Sequence, residues 1–310
     1  MSRQELLDKL YELKVEKNAA ILAHNYQVEE IQDVADCCGD SFELSRFAAE
    51  SPAEVIVFCG VHFMAESAAI LSPEKTVLLP EKAAGCPLAE MITPEGLSSL
   101  IEAHPRAVVV TYINSSAKVK AMSDVCVTSA NAVEVVSSLE QDEVIFTPDR
   151  NLAHFVAGKT KKKIIPWPGY CITHHRVSVD DVLRARKAHP DAAIIVHPEC
   201  RPEVVELADQ ALGTGGMIRF AQQTDAEKII VGTEMGMLHR LKKECPGKQF
   251  LLLSPGLVCP NMKYTTLEKV VNSLERMEHR VTVPPEIRDK AVRALERMLA
   301  IHNSLLGARS

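Results

Sequence analysis

Three cysteines stand beside Gly or Pro where a short apolar run ends: Cys86 in PEKAAGC, Cys171 in PGYC and Cys259 in SPGLVC. Thiolates that converge on one point are suited to hold a metal. A structural zinc ion would need a fourth ligand, which His174 or His175 could supply, but structural zinc ligands are usually paired locally in the sequence. An iron–sulfur cluster fits better. It normally takes four cysteines, so with three of them one iron would keep an open position and could act as a Lewis acid.

Polar triplets precede the three cysteines, and a hydroxyl follows seventeen residues after the first member of each triplet. The triplets are His24-Asn25-Tyr26, Tyr112-Ile113-Asn114 and His197-Pro198-Glu199, and the hydroxyls are those of Ser41, Ser129 and Thr214. The triplets supply candidate general acids and bases, namely His24, Tyr26, Tyr112, His197 and Glu199. Asn114 and the three hydroxyls are short groups suited to anchoring carboxylates. Ser41 and Ser129 are predicted to open helices, whose N-termini favour anions, and an ordinary helix cap is the alternative for each.

The elements that must position these residues form a unit that occurs three times. Each unit begins with an apolar, β-rich run, AAILAH, AVVVTY or AAIIVH, which ends in the triplet, and helical patterns alternate with further strands up to the cysteine. Buried strands that alternate with helices predict parallel sheets covered by helices, and ligands gather at the carboxyl ends of such strands. The sequence therefore predicts an α/β protein of three pseudo-symmetric αβα three-layer domains with parallel sheets around a central active site.

The domain boundaries follow from the repeat. Residues 1–104 form the first unit, 105–188 the second and 189–275 the third. Two further helices are predicted over 265–280 and 284–305, and we expect the C-terminal helices of residues 276–310 to pack on the first unit.

Composition narrows the class of protein. The chain has 310 residues, a net charge of −6 and 46% hydrophobic residues, which is ordinary for a globular enzyme and unlike a nucleic-acid-binding protein. It contains no apolar run long enough to cross a membrane and no signal peptide. Nine cysteines without a CxxC pair indicate free thiols in a reducing cytoplasm rather than a disulfide framework.

Several motifs carry a resemblance that covers nearly the whole chain. AHNYQ, GDS, AGCPLAEM, TYINSSAKVK, VTSANA, PGYC, VHPEC, VGTEMGMLHRL and PGLVCPNMK occur in the order found in quinolinate synthase, an enzyme of bacterial NAD biosynthesis that the chain resembles. The resemblance implies that one [4Fe-4S] cluster per chain is held by Cys86, Cys171 and Cys259. It implies a transferase that condenses iminoaspartate with dihydroxyacetone phosphate to give quinolinate, phosphate and water. L-aspartate oxidase and quinolinate phosphoribosyltransferase are then the expected functional neighbours.

The resemblance also assigns roles to the candidate residues. The catalytic residues would be His24, Tyr26, Tyr112 and Glu199. The substrate-binding residues would be His24, Ser41, Tyr112, Asn114, Ser129, His197, Glu199 and Thr214. One departure stands out, because many members have a Ser-Thr pair where this chain has Gly213-Thr214, so one substrate hydrogen bond is expected to be missing or to come from the backbone.

Two other functions compete with this one. An enzyme of diphthamide synthesis shares the plan of three units and three cysteines, but it would need a sulfonium cofactor site and a surface for a protein substrate. A non-enzymatic iron–sulfur sensor would need an output surface or a DNA-binding element. Among the remaining features, we interpret GTEMGMLHR as a turn that packs and His62 with Glu66 as a solvated or packed pair. His174 and His175, beside Cys171, could each line the cavity.

Overall fold

The structure, a computed structural model, describes residues 1–307, with side chains up to residue 301. Its twelve described strands form three sheets of four parallel strands. In each sheet the first strand of the unit lies between the second and the third, and the fourth pairs with the third. The predicted fold class, three pseudo-symmetric αβα units, is therefore confirmed.

The first sheet has the order β2-β1-β3-β4 and is followed by two helices that lead to the second sheet. Its elements are α1 (Arg3–Glu16), β1 (Ala19–His24), α2 (Glu29–Val34), β2 (Cys37–Gly39), α3 (Ser41–Glu50), β3 (Val55–Cys59), α4 (His62–Leu71), β4 (Thr76–Leu78), α5 (Pro87–Glu90) and α6 (Pro94–Ala103).

The second sheet has the order β6-β5-β7-β8. Its elements are β5 (Val108–Tyr112), α7 (Ala117–Lys120), β6 (Val125–Val127), α8 (Ala132–Ser138), β7 (Glu143–Thr147), α9 (Arg150–Lys159), β8 (Lys163–Pro166), α10 (Ile172–His175) and α11 (Val179–Ala188).

The third sheet has the order β10-β9-β11-β12. Its elements are β9 (Ala193–Val196), α12 (Pro202–Leu207), β10 (Gln210–Ala211), α13 (Thr214–Gln223), β11 (Lys228–Gly232), α14 (Met237–Glu244) and β12 (Gln249–Leu252). A 3-10 helix (Pro260–Lys263), α15 (Leu267–Arg276) and α16 (Pro285–Gly307) follow.

Each sheet is covered on both faces because successive strand residues point to opposite sides. In β1, Ile21 packs in a cluster with residues of α1, α2 and α15, whereas Leu22 packs in a cluster with residues of α3 and α4. In β9, Ile194 and Ile195 divide in the same way between two clusters. Burial on both faces explains why the first strands read as unbroken apolar runs.

The C-terminal helices pack more widely than on the first unit alone. We predicted that the helices of residues 276–310 pack on the first unit. The helix that packs against α1 and β3 is α15, whereas α16 lies against α4 and also against β6 and α7 of the second sheet. Ala291, Ala294, Leu295 and Met298 of α16 are buried in a core common to the first two sheets, so this helix belongs to both. Residues 308–310 lie outside the described part, and the domain boundaries themselves stay predictions.

The triplets lie where the sequence placed them. His24 and Tyr112 are the last residues of β1 and β5, and His197 directly follows β9. All three triplets therefore stand at the carboxyl ends of the first strands of their sheets. In the described part of the chain, no helix is both long and apolar enough to span a membrane.

Candidate active site

One cavity brings the predicted residues of all three units together. Each of the twelve predicted residues contributes to its wall: His24, Tyr26, Ser41, Cys86, Tyr112, Asn114, Ser129, Cys171, His197, Glu199, Thr214 and Cys259. The convergence of three distant sequence segments follows from the pseudo-symmetry, although the role of each residue is still a prediction.

Two of the three hydroxyls stand at helix N-termini. Ser41 is the first residue of α3, after the cap Asp40, and Thr214 is the first residue of α13, after Gly213. The prediction that Ser129 opens a helix is wrong, because α8 begins at Ala132. Ser129 lies in the turn before that helix, which is closed by a 2.7 Å hydrogen bond from the Thr128 N–H to Asn131 Oδ1.

Glu199 lies at the centre of the charged groups and is buried. Its Oε2 atom is 2.7 Å from Nδ1 of His174 and 3.3 Å from Nδ1 of His197. The two imidazole rings stack, with centroids 4.5 Å apart. His197 continues the chain of contacts, since its Nε2 atom lies 3.2 Å from the Ser129 hydroxyl. One carboxylate thus orders two histidines contributed by different units.

Burial and neighbouring charges set the ionisation of this group. Burial would raise the pKa of Glu199, but the adjacent His197 and the hydrogen bonds from His174 and His197 outweigh burial and hold that pKa well below its usual value. Burial, reinforced by His197, lowers the pKa of His24 to about 3. Burial also lowers the pKa of His197, against the attraction of Glu199. At neutral pH the site therefore holds an ionised carboxylate beside His24 and His197 in their neutral form.

The two tyrosines are held as neutral proton donors. Burial raises the pKa of Tyr26 and of Tyr112 well above the usual value, and the charge of Glu199 adds to both shifts. The Tyr26 hydroxyl is 2.6 Å from Oγ1 of Thr233, which also lies 2.9 Å from Nε2 of His174. Tyr26, Thr233, His174 and Glu199 thus form a continuous chain of hydrogen-bonding groups along one side of the cavity.

Two buried oxygens of the cavity wall lack a hydrogen-bond partner among the described residues. They are Oε1 of Glu199 and Oδ1 of Asn114. A buried polar atom without a partner costs about 1–3 kcal/mol, so these atoms indicate a polar ligand that would satisfy them. By contrast, Thr214 is engaged within the protein, since its hydroxyl accepts a 2.9 Å hydrogen bond from the Asn25 side-chain amide.

Gly213, the position singled out in the sequence, lies against Ser129. A Cβ atom at Gly213 would stand 2.8 Å from the Ser129 hydroxyl, which is closer than van der Waals contact allows. A serine there would require the Ser129 hydroxyl, which contacts His197, to move.

The three predicted cluster cysteines are partly buried, free thiols. Burial raises the pKa of Cys86 to about 12, with Cys259 adding to the shift, and raises the pKa of Cys171, with Glu199 as the next cause. Burial also raises the pKa of Cys259. Burial alone raises the pKa of Cys126 in the same way, and a metal ion among the three thiols would favour their thiolate form.

His174 and His175 differ in their place. Nδ1 of His174 lies 3.2 Å from Sγ of Cys171, and Cys171, His174 and Glu199 together form a group whose ligand atoms are close enough to share one ion. His175 instead points to the outside, where its ring contacts Asn151 and Tyr170. Of the two histidines, His174 is the one that lines the cavity.

Sequence reasoning missed two other buried groups. Asp149 and Glu234 are fully buried acids at the ends of β7 and β11. Glu234 lies in the segment GTEMGMLHR, for which the sequence predicts only a turn that packs. The available signal was positional, because both acids stand two residues after the third strand of their sheet.

Comparison with known proteins agrees with the geometry. The family described as "Quinolinate synthetase A protein" matches residues 8–300. The chain is 56% identical over 301 residues to quinolinate synthase 1 of Methanosarcina acetivorans, with 97% of this chain and 99% of that protein covered. It is 57% identical to the quinolinate synthase of Dehalococcoides mccartyi strain CBDB1, again over 97% of this chain and all of that protein. The chain belongs to the quinolinate synthetase A family, whose members are enzymes of NAD biosynthesis.

Proposed function

We propose that this chain condenses iminoaspartate with dihydroxyacetone phosphate to give quinolinate, phosphate and water. The observation that carries the proposal is the convergence of all twelve predicted residues on one cavity. Membership of the family sets aside the sensor and the diphthamide-type enzyme. We further propose that the enzyme works in the cytoplasm, where its nine unpaired thiols would stay reduced, between L-aspartate oxidase and quinolinate phosphoribosyltransferase.

The donor set fits a [4Fe-4S] cluster with three protein ligands. Cys86, Cys171 and Cys259 come from equivalent positions of the three units and line the same cavity. When bound, the cluster would supply one Lewis-acidic iron for the loss of water. A single ion held by Cys171, His174 and Glu199 is the alternative that the geometry offers, but it would leave Cys86 and Cys259 without a function.

The polar wall is suited to a substrate with carboxylate groups. The N-termini of α3 and α13 open at the cavity, at Ser41 and Thr214, and helix N-termini attract anions. The Ser129 hydroxyl adds a short donor. We infer that these groups hold the two adjacent carboxylates of quinolinate and of the intermediates that precede it.

Proton transfer falls to the groups around Glu199. Its free Oε1 atom can contact a bound intermediate, and the carboxylate would share a transferred proton with His174 and His197, which flank its Oε2 atom. Tyr26 and Tyr112, neutral at physiological pH, can donate. Burial of Tyr112, His174, His197 and Glu199 keeps bulk water from competing for the protons.

A turnover assay tests the proposal. Anaerobically purified protein with its cluster should form quinolinate and phosphate in equal amounts from iminoaspartate and dihydroxyacetone phosphate. Omission of either substrate should abolish both products. Protein that holds four irons per chain and forms no quinolinate would contradict the proposed reaction.

A further inference from the structure

Two buried carboxylates take no part in the proposed chemistry. Asp149 and Glu234 occupy equivalent positions, two residues after β7 and β11, and both side chains are fully buried. The corresponding position after β3 is Val61, which is buried and apolar. The second and third units therefore contain a buried acid that the first unit lacks.

Asp149 binds the backbone of the second cysteine. Its Oδ2 atom accepts a 2.9 Å hydrogen bond from the Cys171 N–H. Its Oδ1 atom accepts bonds of 2.8 Å from the N–H groups of Asn151 and Leu152, in the first turn of α9. The carboxylate thus fixes the cysteine loop to the start of a long helix.

Glu234 does the same for the third cysteine. Its Oε1 atom accepts a 3.1 Å hydrogen bond from the Cys259 N–H, and its Oε2 atom accepts a 2.7 Å bond from the Gly236 N–H. Lys263 neutralises the carboxylate at 2.9 Å. The Cys259 loop is therefore joined to the loop that follows β11.

The loop of Cys86 is joined to its surroundings differently. The side chain of Val61 is apolar and has no atom that could accept a hydrogen bond from the Cys86 N–H. Elsewhere in this loop Ala84 accepts from the His62 N–H and Gly85 accepts from the Asn261 side chain, both at 2.8 Å, and the Glu81 carboxylate accepts from the Ala83 N–H rather than from the cysteine. Asn261 follows Cys259 by two residues, so the Cys86 loop depends on the loop of another cysteine.

We propose that Asp149 and Glu234 are positioning residues, which hold Cys171 and Cys259 in ligating orientation before any metal binds, and that the Cys86 loop is the part that the cluster itself orders. The inference rests on the cluster of the proposed function. Its physical basis is that a metal ligand is oriented by the groups that bind its own backbone and side chain. Two of the three ligands have a buried carboxylate on their own backbone N–H, and the third does not.

Hydrogen exchange of wild-type protein gives the first test. Cluster-free and anaerobically reconstituted protein should differ most in the segment 82–91, which should gain protection of about tenfold or more on reconstitution. The segments 169–175 and 256–263 should change much less. An equal gain in all three segments would overturn the proposal, and this comparison needs no variant.

The second test uses Asp149→Asn and Glu234→Gln, which keep shape but turn one acceptor oxygen into an NH2 group. In cluster-free protein each variant should exchange faster in its own cysteine segment by about tenfold, as expected for the loss of a hydrogen bond to a charged group. Iron uptake during reconstitution should also slow. Asp209→Asn is the control, because Asp209 accepts a backbone hydrogen bond from Ile194 in the same fold but away from the cysteines.

The outcomes separate the two proposals. Variants that exchange and take up iron as the wild type does would overturn the role of the carboxylates while leaving the cluster in place. Wild-type protein that takes up no iron would overturn the cluster itself, and with it this inference. If a variant loses hydrogen-exchange protection throughout its sheets, its fold is disturbed as a whole. The comparison of cluster-free with reconstituted wild-type protein then decides.

Discussion

Glu199 has three properties that suit it to take part in proton transfer together with His174 and His197. It is buried, its Oε2 atom is fixed by two histidines, and its Oε1 atom is free to meet a ligand. A carboxylate held in this way keeps its charge and its orientation, so proton transfer needs little rearrangement.

Replacement of Glu199 tests its proposed role directly. Glu199→Gln keeps size but removes the ionisable group, so quinolinate formation at saturating substrate should fall by about 10²–10⁴-fold. Ser129→Ala is the matched variant, because it removes one anchoring hydroxyl. It should weaken substrate binding by about 1–3 kcal/mol and leave more turnover at saturation. Near-normal turnover of Glu199→Gln with full iron content would move the proton-transfer role to Tyr26, Tyr112 or His24.

The cysteines give a prediction that needs no substrate. Cys86→Ala, Cys171→Ala and Cys259→Ala should each lose most of the four irons expected per chain, because one of three ligands is gone. Cys126→Ala is the control, since Cys126 is buried within β6 and does not line the cavity. Iron content and visible absorbance measure the result, and equal iron in all four variants would refute the three-cysteine site.

The lowered pKa of His24 predicts that acid destabilises the fold. Its pKa is about 3 in the folded chain against an ordinary 6.5, so the unfolded state binds the proton more readily between these values. The free energy of unfolding of cluster-free protein should therefore fall as the pH drops from 6.5 towards 3, by an amount on the order of a few kcal/mol. His24→Gln should flatten this slope in denaturant titrations, whereas His154→Gln, at an exposed histidine, serves as the control. An unchanged slope in His24→Gln would show that other groups cause the sensitivity.

At the scale of elements, the three units share side-chain contacts in addition to the triplets, hydroxyls and cysteines. An aspartate just before each second strand accepts a hydrogen bond from the first strand: Asp36 from Ile21, Asp124 from Val109 and Asp209 from Ile194, each fifteen residues apart. A lysine just before each fourth strand donates to carbonyl groups that follow the helix between the second and third strands. These lysines are Lys75 at the end of α3, Lys162 at the end of α8 and Lys248 at the end of α13. These repeated contacts fix how the strands and helices of a unit join.

The aspartate contact gives a prediction at this scale. Asp124→Ala leaves the Val109 N–H without its 2.8 Å acceptor, so the free energy of unfolding should fall by about 1–3 kcal/mol. Asp142→Ala, an exposed aspartate of the same unit, should change it by less than about 0.5 kcal/mol. Chemical denaturation measures both, and equal values would mean that the repeated contact contributes nothing to stability.

In the whole molecule, the units are joined in two ways. The first two sheets and α16 share one hydrophobic core, whereas the third sheet has two clusters of its own. Polar contacts link the third unit to the first. Lys243 and His239 of α14 bind Asp33, and Lys263 binds both Glu234 and the carbonyl of Tyr26.

Replacement of Lys263 tests how much the polar link between the third and first units contributes to stability. Lys263→Met removes the 2.6 Å hydrogen bond to the Tyr26 carbonyl and leaves the buried Glu234 without its cation. The free energy of unfolding should fall by about 1–3 kcal/mol. Lys269→Met breaks a more exposed ion pair, with Glu81, and should cost less than about 1 kcal/mol. A Lys263 variant no less stable than the Lys269 variant would show that this link is unimportant.

The sequence alone determined the elements and the set of candidate residues. The apolar runs that became β1, β5 and β9, the triplets at their ends and the common spacing to Cys86, Cys171 and Cys259 are local or periodic features, and these can be read without coordinates. The spacing also predicted that the residues converge, because equivalent positions of a repeated unit stand at equivalent ends of its sheets.

Only the tertiary structure decided which residues touch across the units. The contacts of His174 with Glu199, of Ser129 with His197 and of Tyr26 with Thr233 each join residues from different units. The placement of α16 on two sheets and the choice of His174 over His175 were settled in the same way. Periodicity reports which face of an element is buried, but not which side chain of another element covers it, because that depends on how the packed units are oriented.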